Sequence, residues 1–350
     1  MAEQWHGAVR MGFSELVQRM IAEGADMSRR DGAGLTALHS VSERGLLDLV
    51  KMLLNEGADV WAESSDGRTP LHSAAGGGSA RVVRALLDAG ADVSSKTTSG
   101  RTALHFAVRW RGAMERSRES CESTLAVVRV LIDAGADVVA IDCSGETVLH
   151  STAGDGLNAI VDQLLLGKGA ACVNIKNTNG RTALHLAVQG MNHAPNHKVV
   201  QTLLDNGADV NLQTSEGDTP LHLAVQHCGS GKKLGVVRNL LSAGADVAAM
   251  DRSGQSALAR TSAMLGTFPI SAYQHESIRR VVALLTVAVA EQARRYEANA
   301  MAFAMGLLDR LGAESFVRGL DAEVVRMVVQ ADEGARSWFT HRDLWRVGGV

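Results

Sequence analysis

Cysteine is scarce. Cys121, Cys143, Cys172 and Cys228 are the 4 in 350 residues. No two of them stand at zinc-type spacing, and they do not form the framework of a small disulfide-stapled domain. Reduced thiols are therefore expected, in a protein of the cytoplasm or the nucleus. An excess of charge is missing too: the formal net charge is −3, which gives no electrostatic reason to expect nucleic-acid binding. Long hydrophobic runs are absent. The longest, Val281 to Ala290 with Thr286 inside it, covers 10 residues, about half of what a bilayer-spanning helix needs. A buried helix is expected there, and no membrane insertion. The stretch from Met1 to His6 has neither the basic start nor the apolar run of a signal peptide.

Catalytic motifs are missing as well. No nucleophile elbow, zinc-protease helix or kinase signature occurs. Gly229-Ser230-Gly231-Lys232-Lys233 has the outline of a phosphate loop. However, Gln226 stands where its first glycine belongs, and Lys233 where its serine or threonine belongs. His193 and His197 have a metal-ligand spacing, but Pro195 lies between them and no acidic residue is close. The expectation is a protein with no catalytic residue, no metal and no cofactor.

What is present is a repeat. A Leu-His pair recurs at Leu38-His39, Leu71-His72, Leu104-His105, Leu149-His150, Leu184-His185 and Leu221-His222, and the first three histidines are 33 residues apart. Trp5-His6 stands one period earlier. A second marker, Gly-Ala-Asp, begins at Gly24, Gly57, Gly90, Gly135, Gly207 and Gly244, with Gly169-Ala170-Ala171 as a worn copy.

One unit shows what the markers do. Asp66-Gly67 suits a tight turn. Thr69 is a good helix N-cap, and Pro70 fits the first helical position, where its missing N–H is no loss. Ala74 and Ala75 allow close helix approach. Val82, Val83, Leu86 and Leu87 then recur at helical spacing. Gly90 is placed to end the second helix with a left-handed cap. Each unit therefore reads as a turn, a short helix, a longer helix and an extended return.

A Thr-Pro-Leu-His unit of this length resembles the ankyrin repeat. The resemblance implies an all-α solenoid of helix-turn-helix units with β-turn fingers. About eight units are expected over residues 1–290, the first and last degenerate because each has one face without a neighbour. It also implies that His39, His72, His105, His150, His185 and His222 are structural, bonding near the helix start and to the neighbouring unit. The function implied is protein binding through the concave face, by a monomer. On the family pattern the variable first-helix positions are Glu43 and Arg44, Gly76 and Gly77, Arg109 and Trp110, Gly154 and Asp155, Gln189 and Gly190, and Gln226 and His227. Trp110 beside Arg109 is the leading contact, since both types recur as interface anchors. Trp61 is a further candidate, in an exposed return where the family has asparagine. Asn174 and Asn211 keep that asparagine, which an oxygenase hydroxylates in some ankyrin proteins.

The units are not uniform. From the motif histidine to the first paired apolar residue of the second helix is 10 residues in regular units. It is 22 from His105 to Val127, 14 from His185 to Val199 and from His222 to Val236, and 22 from Ala259 to Val281. The insertions thus fall between the two helices, where surface loops lengthen at little cost.

Residues 291–350 read as a separate C-terminal helical segment. Met301, Phe303, Ala304, Met305, Leu307, Leu308 and Leu311 form a helix apolar on most sides, expected over 298–311 and ended by Gly312. Asp321 reads as the N-cap of a second helix carrying Val324, Val325, Val328 and Val329. Two roles compete. The segment caps the repeat stack, or it recruits a second protein, as in ankyrin-repeat adaptors of ubiquitin ligases. No clean match to the Leu/Cys pattern of such adaptors is present.

Overall fold

Thr36 and Thr69 have the extended backbone of a helix N-cap, with φ −82°, ψ 170° and φ −96°, ψ 166°, and helix begins at the next residue. This local instruction is repeated along the chain. The computed structural model, which describes residues 2–108, 118–166, 172–190, 197–226, 233–267 and 272–311, has eight successive helix pairs, six of them opened by such a threonine. The first four pairs are α1 (Ala2–Met11) with α2 (Ser14–Ala22), α3 (Ala37–Glu43) with α4 (Leu47–Asn55), α5 (Pro70–Gly77) with α6 (Ala80–Asp88), and α7 (Ala103–Val108) with α8 (Arg118–Asp133). The next are α9 (Val148–Asp155) with α10 (Asn158–Leu165), α11 (Ala183–Gln189) with α12 (His197–Asp205), α13 (Pro220–Gln226) with α14 (Leu234–Ser242), and α15 (Ala257–Thr267) with α16 (Ala272–Leu311).

From α3 to α15 the first helices pack on one another in sequence, and so do the second helices from α4 to α14, giving two layers of helices. The core between them comes from the residues the repeat marks out. Leu38, Leu71, Leu104, Leu149, Leu184 and Leu221 are all buried. So are the pairs Leu49-Val50, Val82-Val83, Val127-Val128, Ile160-Val161, Val199-Val200 and Val236-Val237. The register therefore holds across the inserted loops, most of whose residues are not among those described. Each such side chain contributes on the order of 1.5–3 kcal/mol by leaving water.

The turns stack as well. The N–H of Ser65 donates to the carbonyl of Ala33 (3.2 Å), Thr98 to Asp66 (3.0 Å), Cys143 to Ser99 (2.9 Å), Thr178 to Ser144 (2.9 Å), Ser215 to Asn179 (3.0 Å) and Arg252 to Glu216 (3.0 Å). Glycine is needed for this approach. Gly180 has φ +69°, and a Cβ there would lie 2.6 Å from the backbone nitrogen of Ser215. Extended pairing stays minimal: among the described residues the only β-bridge is the isolated antiparallel one between Met250 and Ser256. Nor is any described helix long and apolar enough to cross a membrane.

By its contacts the chain divides into two compact units, Met1–Val281 and Val282–Val350. One expectation about the helices is corrected. The helix read from the sequence over 298–311 does not start near Ala298, since α16 is a single helix of 40 residues that begins at Ala272. Glu291 to Ala300 contain neither Gly nor Pro and are rich in helix formers, so nothing local stops the helix.

Candidate protein-binding surface

The surface is built on the histidines, because they tie each first helix to the next finger. In the six Thr-x-x-His units the imidazole Nδ1 accepts the threonine backbone N–H, at 3.1 Å for His39, His72, His150 and His185, 3.3 Å for His105 and 3.2 Å for His222. The threonine hydroxyl lies within 2.8–3.0 Å of the same nitrogen. The ring proton then belongs on Nε2, which donates into the following unit. It reaches the carbonyl of Arg68 (2.8 Å), Arg101 (3.1 Å), Glu146 (3.2 Å), Arg181 (3.1 Å), Asp218 (3.2 Å) and Gln255 (3.1 Å) in turn. Both ring nitrogens are thus committed in the neutral form. Burial lowers the pKa of His39, His105 and His150, and pushes His72 and His185 down to about 4.

The last pair departs from this scheme. Ala259 stands where the histidine would be, and the next residue, Arg260, makes the inter-unit tie instead. Its guanidinium forms an ion pair with Asp218 of the preceding unit (2.7 Å) and donates to Asp251 of its own finger (Nε–Oδ2 2.7 Å). The Ser253 hydroxyl on Asp251, with the Gln255 and Ser253 amides and Arg260, holds that carboxyl well below the usual range.

The residues whose carbonyls receive the histidines project their side chains where fingers meet first helices. Arg101 pairs with buried Asp142 (3.1 Å), Glu146 accepts from the Asn177 amide (3.1 Å), and Arg181 donates to Gln189 (3.1 Å). Burial of Asp142 opposes ionisation, but the Glu146 and Ser144 amides and Arg101 outweigh it and lower its pKa. Arg68 instead stacks its guanidinium 5.1 Å from the ring centre of half-buried Phe106. Phe106 in turn stands edge-on to His72, at 5.1 Å and 74°. The sequence reading passed over Phe106 and Arg68. A signal was available: the residue after the motif histidine is Ser40, Ser73, Phe106, Ser151, Leu186 or Leu223, changing in size between constant neighbours.

The expected contact positions are distributed as follows. Glu43 and Arg44 are exposed at the end of α3, and Gln226 is exposed at the end of α13. Asp155 and Gln189 are half-buried at the ends of α9 and α11, with the Gln189 amide already engaged by Arg181. Gly77 is a packing position, since a Cβ there would lie 2.0 Å from the Glu43 carbonyl oxygen. Arg109, Trp110 and His227 lie outside the described residues, as does the chain beyond Leu311 with its expected second C-terminal helix.

Trp61 is 62% exposed, yet it is anchored: its indole N–H donates to the Gly90 carbonyl one unit on (3.0 Å). Asn174 and Asn211 make the equivalent bond from their side-chain amides, to Gly207 (3.0 Å) and Gly244 (3.2 Å). Each also accepts, from the N–H of Asp209 (2.8 Å) and Asp246 (2.7 Å). Trp61 therefore replaces an asparagine as donor and adds a large aromatic face.

Lys233, the end of the glycine-lysine run, is buried and directs its ammonium to the carbonyls of Val188 (3.1 Å) and Gln189 (3.4 Å) at the end of α11. That is a helix-capping role, favoured by the partial negative charge there. Among the described residues no group of three His, Cys, Asp or Glu side chains is placed to hold a metal. Cys121 and Cys143 are exposed. Cys172 is buried, which pushes its thiol up to about 11.

A family model described as ankyrin repeats (three copies) matches the chain over residues 5–97, 44–138, 117–214 and 173–251. No curated protein matches it.

Proposed function

The chain belongs to the ankyrin-repeat family, whose repeats are protein–protein interaction modules, and from that premise we propose that it is a non-catalytic scaffold. It binds a protein partner on the concave face formed by the fingers and first helices. Arg68 stacked on Phe106 carries this reading: an arginine and an aromatic, both only partly buried, sit together on a framework fixed by the histidine bonds. Such pairs act as anchors in interfaces because little freedom is lost when a partner covers them. Exposed Glu43 and Arg44 flank the pair on one side, and Gln189 and Gln226 extend the surface on the other. The sequence candidates Arg109 and Trp110 follow α7, the helix that carries Phe106. The protein works as a monomer in the cytoplasm or the nucleus.

The test is affinity capture from native lysate with the full chain, read by mass spectrometry, beside Phe106→Ser, Arg44→Glu and Trp110→Ala. Serine occupies the Phe106 position in three other units, so that variant is expected to melt like the parent. Partners held by the parent and lost from Phe106→Ser and Trp110→Ala support recognition on this face. The same partners on all four proteins would overturn it.

A further inference from the structure

The outer corner of the second and third units carries a feature that the concave-face reading does not use. At the position held by Ser94, Val139, Asn211 and Ala248 in other units stands Trp61. The residue is 62% exposed, yet its indole is tethered, because Nε1–H is bonded to the Gly90 carbonyl at 3.0 Å. The edge of the ring rests on the Gly90 backbone, with Cζ2 3.8 Å from where a Cβ would be. An anchored and open indole offers contact area at small entropic cost.

The two corner segments themselves are of one sign. The corner at Gly57 carries Glu56 and Asp59, and the corner at Gly90 carries Asp88 and Asp92, all four exposed. Neither Lys nor Arg occurs in residues 55–62 or 88–95. The Asp59 carboxylate accepts the Trp61 backbone N–H (2.9 Å), and the hydroxyl and amide of Ser94 lower the pKa of Asp92. Glu56 caps the C-terminal end of α4 and Asp88 is the last residue of α6. A carboxylate at that end faces the negative pole of the helix, a placement that weakens the helix. Arg30, whose guanidinium bonds the Glu63 carbonyl, and Lys96 lie on the finger side, and exposed Lys51 and Arg84 stand about one turn back along α4 and α6.

We infer that the Trp61 corner is a docking site for an arginine- or lysine-bearing segment of a protein partner. The indole face takes the cation, and the four carboxylates supply the complementary field. This extends protein binding to a second surface, and it stands or falls apart from the concave-face reading, because the residues tested are different.

The test measures binding of a fluorescein-labelled hexa-arginine peptide to the full chain by anisotropy, with hexa-glutamate as control. Trp61→Asn restores the residue that makes the same bond in the sixth unit, so its melting temperature should match the parent. Its affinity for the arginine peptide should fall by about two- to fivefold, the range of an exposed cation–π contact. Asp88→Asn should also weaken binding and reduce its salt dependence. Asp205→Asn, at the corresponding corner of the unit that carries Asn211, should leave it unchanged. Parent-like affinity in Trp61→Asn, an equal loss in Asp205→Asn, or no binding by the parent would each overturn the inference.

Discussion

At the scale of single residues, three positions separate packing from backbone effects. Leu104 is fully buried in the first helix of the fourth unit. Leu104→Ala should lower the unfolding free energy by about 2–5 kcal/mol, the range for a core truncation that leaves a cavity. A denaturant melt showing less than about 1 kcal/mol would mean that the register read through this unit is wrong. Gly180 and Gly254 have nearly the same left-handed φ, +69° and +72°. Only Gly180 has a following finger packed against it, with a Cβ 2.6 Å from Ser215 N, while Gly254 meets no atom within 4 Å. Gly180→Ala should therefore be clearly more destabilising than Gly254→Ala, and equal losses in paired melts would show that backbone strain alone sets the cost. The sequence marks both glycines as turn residues. It does not show which one is crowded, since the crowding atom belongs to another unit.

At the scale of elements, the first helices are short and owe their order to what holds their ends. Among them α11 has 7 residues, below what an isolated helix needs in water. Its N-terminus is held by the Thr182–His185 bonds, and its last carbonyls by the ammonium of Lys233, 44 and 45 residues further along the chain. Lys233→Met keeps the apolar stem and removes the donor. It should destabilise by about 1–3 kcal/mol, the loss from a buried hydrogen bond to a charged group. Hydrogen exchange should quicken over residues 183–190 before it does in α9. Unchanged exchange there would deny the lysine its capping role. Motif spacing located every first helix in the regular units but gave Lys233 no function, because the carbonyls it serves are remote in sequence. The sequence reading also split α16, although no helix breaker stands between Ala272 and Leu311 except Gly306.

At the scale of the whole molecule, the imidazole ladder makes stability depend on pH. His72 and His185 fall from an ordinary 6.5 to about 4 on folding, chiefly through burial. Between those values the unfolded chain binds protons that the folded chain refuses, so unfolding becomes easier as pH drops through that window. A shift of this size corresponds to on the order of 3 kcal/mol per histidine. His39, His105 and His150 shift in the same direction. Urea midpoints should hold above about pH 6.5 and decline steadily toward pH 4, and a flat profile over that interval would contradict neutral, bonded imidazoles. The sequence by itself determined the architecture. Its repeated threonine, leucine, histidine and glycine positions each act through local caps, turns and apolar stripes, whose physics reaches only a few residues along the chain. The tertiary structure decided what those residues meet: that Trp61 reaches Gly90, that Arg68 lies on Phe106, and that Arg260 takes over where the histidine is missing. These contacts join neighbouring or successive units, and their geometry is set by how one unit stacks on the next, which no single unit specifies.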